Sequence, residues 1–185
     1  MKKCTTGIRK TAWGLAPLCI ILIILIAVML CACKDEQEPP GPVEIPLIIG
    51  VPQTLYDWEI TLSSVEVVPD IPLSASLSYK PKEGNQFVVV SLAITCKAEE
   101  GQFFIREERI TDQDVFPCIE CGDETFKMVS LPGYDQNLVR VKFEPDQPVS
   151  GVLAFEVPEK ALDDTNTPLV LNIKQFDQRL IYELH

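Results

Sequence analysis

The 185-residue sequence is poor in the residues from which most hydrolytic and metal-dependent active sites are built. Its single histidine is the last residue, His185, so a catalytic triad or a histidine-rich zinc site has no well-placed imidazole in this chain. The nine glycines are scattered singly and form no glycine-rich phosphate-binding loop. We therefore expect a protein that is not an enzyme and needs no cofactor.

Acidic residues are absent from the first 32 positions, where four basic residues lie. All 27 acidic residues and the other 12 basic ones follow, so the chain from Cys33 onward has a formal net charge of −15. An acidic body disfavours binding to DNA or RNA, because that affinity comes largely from basic side chains that neutralise phosphates. It also disfavours adsorption on an anionic lipid surface. No nucleic-acid partner is expected.

The basic N-terminus is followed by an uncharged apolar run, Leu15 to Met29, and this order of segments is typical of a secretory signal. The run leads into Leu30-Cys31-Ala32-Cys33, which resembles the lipobox of bacterial lipoproteins. The resemblance implies that residues 1–32 are a lipoprotein signal peptide and that Cys33 carries a diacylglycerol thioether after cleavage.

An uncleaved transmembrane helix is the alternative to a cleaved signal. The 19 residues from Leu15 to Cys33 are just long enough to cross a bilayer. In both cases the basic N-terminus stays inside and the rest of the chain lies on the extracytoplasmic face of the cell membrane. The predicted partner at this end is therefore the membrane, through a lipid anchor or a helix.

Residues 33–46 form an acidic, proline-rich segment that is predicted to be an extended linker. Residues 47–185 lack a long helical periodicity and contain short apolar alternations separated by Pro, Gly, Asp and Asn. This pattern predicts an all-β, immunoglobulin-like sandwich. Apolar alternation marks the candidate strands at Trp58–Leu62, Val88–Cys96, Val139–Phe143, Leu153–Val157, Leu169–Ile173 and Leu180–Leu184, and one helical turn is predicted at Glu159–Asp164.

Four segments carry a family resemblance. Gly84–Thr95, Asp57–Ile60, Thr111–Pro117 and Ser150–Pro158 are similar to motifs of a family of bacterial and archaeal lipoproteins of unknown function. The extracellular domain of that family is a telokin-like, immunoglobulin-like sandwich. The resemblance implies this fold, and because its motifs are packing motifs it implies no activity.

Three cysteines follow Cys33, and their pairing is open. Cys118 and Cys121 form a CxxC pair, which in an oxidising compartment is a candidate disulfide. Cys96 is the alternative partner for either of them. Strand alternation places Cys96 on the same face as Val90 and Ile94, so it is expected to be buried.

The region from Cys118 to Glu124 also contains acidic residues that could contribute to a small-ligand or metal site. Asp112 and Asp114 are candidate oxygen ligands for a metal ion, although their spacing does not match an EF-hand.

Two classes of function are compatible with this sequence. The first is a membrane-anchored extracytoplasmic lipoprotein whose acidic immunoglobulin-like domain binds an unknown protein or envelope partner. The alternative is a lipoprotein that binds a small ligand or a metal through the Cys118–Glu124 region. A concave pocket with convergent polar groups near Cys118 would favour the alternative.

Overall fold

The computed structural model describes residues 41–106 and 113–185. Strands dominate this part of the chain, as the alternating pattern predicts. The strands are β1 (Val43–Pro46), β2 (Pro52–Leu55), β3 (Trp58–Val68), β4 (Ile71–Ser74), β5 (Leu77–Tyr79), β6 (Asn85–Cys96), β7 (Gln102–Phe103), β8 (Phe116–Cys121), β9 (Glu124–Val129), β10 (Lys142–Phe143), β11 (Pro148–Pro158), β12 (Leu169–Gln175) and β13 (Gln178–Glu183). One helical turn, α1 (Glu159–Asp163), follows β11 where a turn was predicted.

Nine of these strands form one hydrogen-bonded series in the order β1-β13-β12-β8-β9-β11-β6-β3-β2. The series folds over at β9, which pairs with β8 on one side and with β11 on the other. The two end strands, β1 and β2, are consecutive in the chain and are joined by residues 47–51. Backbone bonds from Leu47 to Ile181 (2.6 Å) and from Gly50 to Leu62 (2.8 Å) hold this connection on both halves. The result is a β-sandwich that is close to a closed barrel.

The main core lies between the two halves of the sandwich and is built from one face of each strand. On β6, the residues of one face are 0–1 % exposed from Val88 to Cys96, which confirms the predicted burial of Cys96. Trp58, Phe104 and Phe143 pack edge to face with ring centroids 5.0–6.1 Å apart. Each such aromatic pair contributes about 0.5–1.5 kcal/mol beyond the burial of its area.

A second, smaller apolar cluster lies on the outer side of β6 and β11. It contains Ile71, Phe87, Leu131 and Ala154, with Tyr79 and Val89 packed against it. The short β4–β5 hairpin contributes Ile71 and Tyr79, and the Tyr79 hydroxyl donates a hydrogen bond to the carbonyl of Pro132. We call this surface the covered face, because the hairpin and the segment around Leu131 remove its apolar side chains from water.

The prediction of a strand at Val139–Phe143 is wrong for most of these residues. Only Lys142 and Phe143 are extended, and Arg140 has a positive φ of 65° in a turn. The preceding residues approach β11 closely at Gly151, where an added Cβ would lie 2.4 Å from the carbonyl oxygen of Gln136. This contact between distant segments, rather than local alternation, sets the path of the chain.

The predicted linker boundary also differs from the structure. Val43–Pro46, placed in the linker by their proline content, form β1 and pair in parallel with β13. The compact unit that contains the sandwich begins at Pro42 rather than at residue 47. Proline is tolerated in β1 because this strand is at the edge of the sheet.

Candidate functional site

Strand β8 carries Cys118, Glu120 and Cys121. The Cys118–Glu124 region is therefore the first half of a β-hairpin and its turn. Gly122 and Asp123 form its two-residue turn, and Gly122 has the positive φ (56°) that such turns require. The turn signal was present in the sequence as a Gly-Asp pair between two alternating segments.

The structure contradicts the Cys118–Cys121 disulfide. In an extended strand residues three apart are separated by about 10 Å and point to opposite faces, whereas a disulfide joins Cα atoms about 4.4–6.8 Å apart. Ile119 and Cys121 accordingly belong to the main core, and Cys118 lies on the outer face of the sheet. Cys96, the alternative partner, is a buried core thiol whose Sγ donates to the Glu100 carbonyl at 3.9 Å. No disulfide joins the three cysteines of the described residues.

Cys121 is also poorly suited to redox chemistry. Burial, followed by the nearby carboxylates of Asp164 and Glu124, raises the pKa of its thiol. A raised pKa lowers the fraction of thiolate, which is the nucleophilic form. The CxxC spacing therefore carries no thioredoxin-like site here.

A polar network occupies the outer face of β8, β12 and β13. Glu120 accepts a hydrogen bond from Asn172 Nδ2 (2.7 Å), forms an ion pair with Lys174, and lies 3.8 Å from the Cys118 thiol. Arg179, on β13, forms an ion pair with Glu44 of β1. Cross-strand pairing explains this convergence, because Arg179 pairs with both Glu44 and Lys174.

These side chains surround a pocket of about 370 Å³, which we call the outer-face pocket. Asn172 is among the lining residues and is only 1 % exposed. Two buried atoms of the network, Asn172 Oδ1 and Arg179 Nε, have no hydrogen-bond partner within the part of the chain that the structure describes. The lining includes Glu44, Glu120, Val170, Asn172, Arg179 and Ile181. Of these residues only Glu120 lies in a region that the sequence singled out, because the proximity of the others depends on strand pairing.

A second concave region, the end cavity, lies at the tips of the β2–β3 and β12–β13 hairpins and has a volume of about 480 Å³. The two tips contact each other: the Tyr56 and Phe176 rings are 4.9 Å apart, and the Tyr56 hydroxyl donates to Asp177. That hydrogen bond raises the pKa of Tyr56. Both aromatic residues have a positive φ (51° and 50°), which is rare for bulky side chains.

The predicted metal ligand Asp114 lines the end cavity, where it forms an ion pair with Arg106 at 3.7 Å. The other candidate, Asp112, lies outside the described residues. Within the described ranges no three His, Cys, Asp or Glu side chains converge in a way that could hold a metal ion. Two exposed aromatic rings line the cavity, Phe103 (45 % exposed) and Phe176 (50 % exposed), and Tyr56 (38 % exposed) packs against Phe176.

Cys33 and the apolar run from Leu15 to Met29 lie outside the described residues, so the lipidation site stays a prediction. In residues 41–106 and 113–185 no helix is long and apolar enough to cross a membrane. His185, the only histidine of the sequence, is exposed at the C-terminus, with its Nε2 3.0 Å from the carbonyl oxygen of Asp164.

Comparison with solved structures shows the fold. The chain is similar to an uncharacterized β-sandwich protein from Clostridium difficile 630, with a TM-score of 0.60, 12 % identity, and coverage of 82 % of this chain and 100 % of the other. It is also similar to a conserved hypothetical protein from Bacillus anthracis, with a TM-score of 0.51, 11 % identity, and coverage of 70 % and 94 %. No family model and no curated protein matches the chain. At these identities the likeness establishes a β-sandwich and no function.

Proposed function

We propose that this chain is a lipoprotein, anchored through Cys33 to the extracytoplasmic face of the cell membrane, that presents a telokin-like, immunoglobulin-like domain to a protein or envelope partner. The observation that carries the proposal is the order of a basic N-terminus, an apolar run and Leu30-Cys31-Ala32-Cys33. Two acyl chains on one cysteine hold a protein firmly, whereas one chain alone is marginal. The role proposed for the domain is binding rather than catalysis.

The position of β1 supports a short tether. Nine residues, 34–42, separate Cys33 from β1 and can span at most about 30 Å. Val43 enters the sandwich beside the β12–β13 tip, where its amide donates to the Asp177 carbonyl at 2.7 Å. The end cavity and its exposed aromatic rings lie at the same tip. A partner bound there would be within reach of the membrane, as an envelope component is.

Mass spectrometry of the chain purified from membranes tests the anchor. We expect an N-terminal peptide that begins at Cys33 and carries the mass of a diacylglycerol, and we expect Cys33→Ala to abolish it. Cys31→Ser is the matched control. It leaves Ala32, the small residue before the predicted cleavage site, and Cys33 unchanged, so it should leave lipidation intact. A mature chain that retains Leu15–Met29 would overturn the lipoprotein and establish the uncleaved helix.

The partner-binding role is tested at the exposed aromatic rings. We expect Phe103→Ser and Phe176→Ser to reduce photo-crosslinking of the anchored domain to its envelope partner, since exposed aromatic residues are the usual anchors of interfaces. Leu77→Ser is the control, because Leu77 is at least as exposed (57 %) and lies on the β4–β5 hairpin. Equal loss of crosslinking in all three variants would contradict a specific role for the end cavity.

A second function, small-ligand binding, is favoured by the outer-face pocket. The predicted Cys118–Glu124 region contributes Glu120 and Gly122 to its lining. Unpartnered buried polar atoms converge there, and such atoms are rare in folded proteins unless water or a ligand satisfies them.

A further inference from the structure

We propose that the outer-face pocket binds a neutral ligand rich in hydroxyl groups, either a saccharide or a polyol. This inference deepens the second function proposed above, and it is independent of the anchor at Cys33. It starts from two unsatisfied atoms at the floor of the pocket and from the charges around them.

Two atoms of the lining residues, one acceptor and one donor, lack a hydrogen-bond partner among the described residues; both are enclosed by neighbouring side chains, so a ligand reaches them only where those side chains move. Asn172 Nδ2 donates a hydrogen bond to Glu120 at 2.7 Å, and this bond fixes the orientation of the amide. Oδ1 is then a buried acceptor without a donor among the described residues. Arg179 forms an ion pair with Glu44 through a terminal guanidinium nitrogen, and its buried Nε has no acceptor among the described residues. A ligand that fits must therefore donate to one atom and accept from the other.

Asn172 Oδ1 and Arg179 Nε are close enough for one small molecule to form hydrogen bonds with both. Asn172 pairs with Ile181 across β12 and β13, and Arg179 lies two residues before Ile181 on the same face. Diagonal neighbours of this kind have Cβ atoms roughly 7 Å apart. Neighbouring hydroxyls on one ring or chain can bridge them, because a hydroxyl both donates and accepts.

The charges around the floor favour a neutral ligand. Glu44 is paired with Arg179, and Glu120 is paired with Lys174, so each carboxylate already has its cation. The four charged groups sum to zero, so they attract neither a cation nor an anion strongly. The remaining lone pairs of Glu44 and Glu120 can accept hydrogen bonds from further hydroxyls, whereas a secondary amide such as N-methylacetamide has only one N–H to donate.

The size and walls of the pocket fit the same class. Its volume of about 370 Å³ is in the lower part of the range for small-molecule sites. Val170, Ile181 and Pro168 contribute apolar wall, against which the C–H faces of a sugar ring can pack. The pocket is shallow and open to solvent on the outer side of the sheet, so it would hold one residue of a larger glycan as readily as a free monosaccharide.

Ligand-observed saturation-transfer NMR on the full chain tests the proposal. The chain is extracted in lauryldimethylamine oxide, because glucoside and maltoside detergents carry sugar headgroups that would compete. The probes are glucose, galactose, N-acetylglucosamine and ribitol, with N-methylacetamide and glucose 6-phosphate as the amide and anionic comparisons. We expect at least one neutral polyhydroxyl probe to bind, and we expect both comparison probes to bind at least ten-fold more weakly than it.

Two variants and one control locate the binding. Asn172→Leu removes the acceptor, and Arg179→Lys keeps the positive charge for Glu44 while removing Nε; we expect each to weaken binding roughly ten-fold. Glu183→Gln is the matched control, since Glu183 is exposed on the same face of β13 outside the pocket lining, and it should leave affinity unchanged. Circular dichroism of each variant establishes that it is folded before its affinity is compared.

The binding results distinguish failure of the polyhydroxyl site from failure of small-ligand binding as such. Absence of binding by every polyhydroxyl probe overturns it, as does preferential binding of N-methylacetamide or glucose 6-phosphate. Binding that neither variant weakens overturns the site while leaving small-ligand binding by the chain intact. The mass of the Cys33 peptide reports on the anchor independently of all these results.

Discussion

The two outer faces of the sandwich are built from the same kind of strand but have opposite characters. On the covered face, Phe87 and Ala154 are buried under the β4–β5 hairpin in an apolar cluster. On the other outer face, Asn172 is buried just as completely, yet its neighbours are Glu120 and Lys174.

Burial on an outer face therefore has two causes in this protein. An apolar outer face is buried because another element of the chain covers it, and this stabilises the fold through the hydrophobic effect. Asn172 is buried because long charged side chains converge around it, which leaves polar atoms unsatisfied and costs stability. The first arrangement is typical of a structural surface and the second of a binding site.

The largest effect is expected on the covered face. Phe87→Ala should lower the free energy of unfolding by about 3–5 kcal/mol, because it removes a buried aromatic ring and leaves a cavity under the hairpin. Denaturant unfolding measures this, with Val67→Ala, at a position 48 % exposed, as the control. A loss below about 1 kcal/mol for Phe87→Ala would mean that the hairpin does not cover this face tightly.

A smaller effect is expected at Asn172. Asn172→Asp should destabilise the fold by about 2 kcal/mol at neutral pH, because it replaces the donor to Glu120 with a second carboxylate. The loss should shrink as the pH falls, since the repulsion raises the pKa of the pair in the folded state and protonation relieves it. Asn172→Leu is the comparison and should stay within about 1 kcal/mol of the wild type, because it removes a polar group that is only half satisfied. Equal losses in the two variants would contradict the electrostatic explanation.

Glu156, which pairs with Phe87 across β11 and β6, gives a pH test at the rim of the covered face. A hydrogen bond from the Asn85 side chain and another from the Lys82 amide lower the pKa of Glu156. Its contribution to stability is therefore fully present above the pKa of an unfolded Glu and is lost as the pH falls through the lower folded value.

We expect Glu156→Gln to cost about 1 kcal/mol or less at neutral pH and to flatten the acid limb of the curve of stability against pH. Urea unfolding at several pH values from neutral to strongly acidic conditions measures this limb. Glu66→Gln, at an exposed position on β3, is the control and should leave the curve unchanged. If Glu156→Gln loses stability at acid pH as steeply as the wild type does, the hydrogen bonds of Glu156 contribute nothing to the pH dependence of stability.

The smallest effect concerns the thiols of β8, one on each face of the sheet. Because Cys118 and Cys121 are not bridged, adding reductant should leave the unfolding temperature of the sandwich unchanged. Cys121 should also be alkylated far more slowly in the folded chain than in denaturant, since burial raises the pKa of its thiol. Peptide mapping after timed alkylation measures both sites, and rapid labelling of Cys121 in the native state would contradict its place in the core.

Local alternation was sufficient for the long strands and insufficient where distant segments meet. The apolar faces of β6, β11 and β12 follow from periodicity, because a strand with one buried face must place every second residue inward. The strand predicted at Val139–Phe143 was wrong because the chain turns there to pass close to Gly151. Val43–Pro46 were assigned to the linker because their pairing partner, β13, is more than 130 residues later in the sequence.

The candidate site shows the same division. Glu120 could be singled out from the sequence, whereas Asp114, predicted as a candidate metal ligand, lines the end cavity in an ion pair with Arg106. Glu44, Asn172 and Arg179 carried no local signal, since each is one polar residue in an alternating strand. Their convergence comes from the order β1-β13-β12-β8, which the sequence pattern alone does not specify.

Periodicity in the sequence was enough to predict the all-β character of the domain, the inward faces of its longest strands and the burial of Cys96, and the N-terminal pattern predicts an export signal and an anchor at Cys33, both of which stay predictions. These depend on periodicity and composition, which are local properties of the chain. Contacts between distant segments bring the β4–β5 hairpin over one outer face and place Asn172 and Arg179 in one pocket. Those outcomes depend on which strands pair and in which register, and register is set by contacts between residues far apart in the chain.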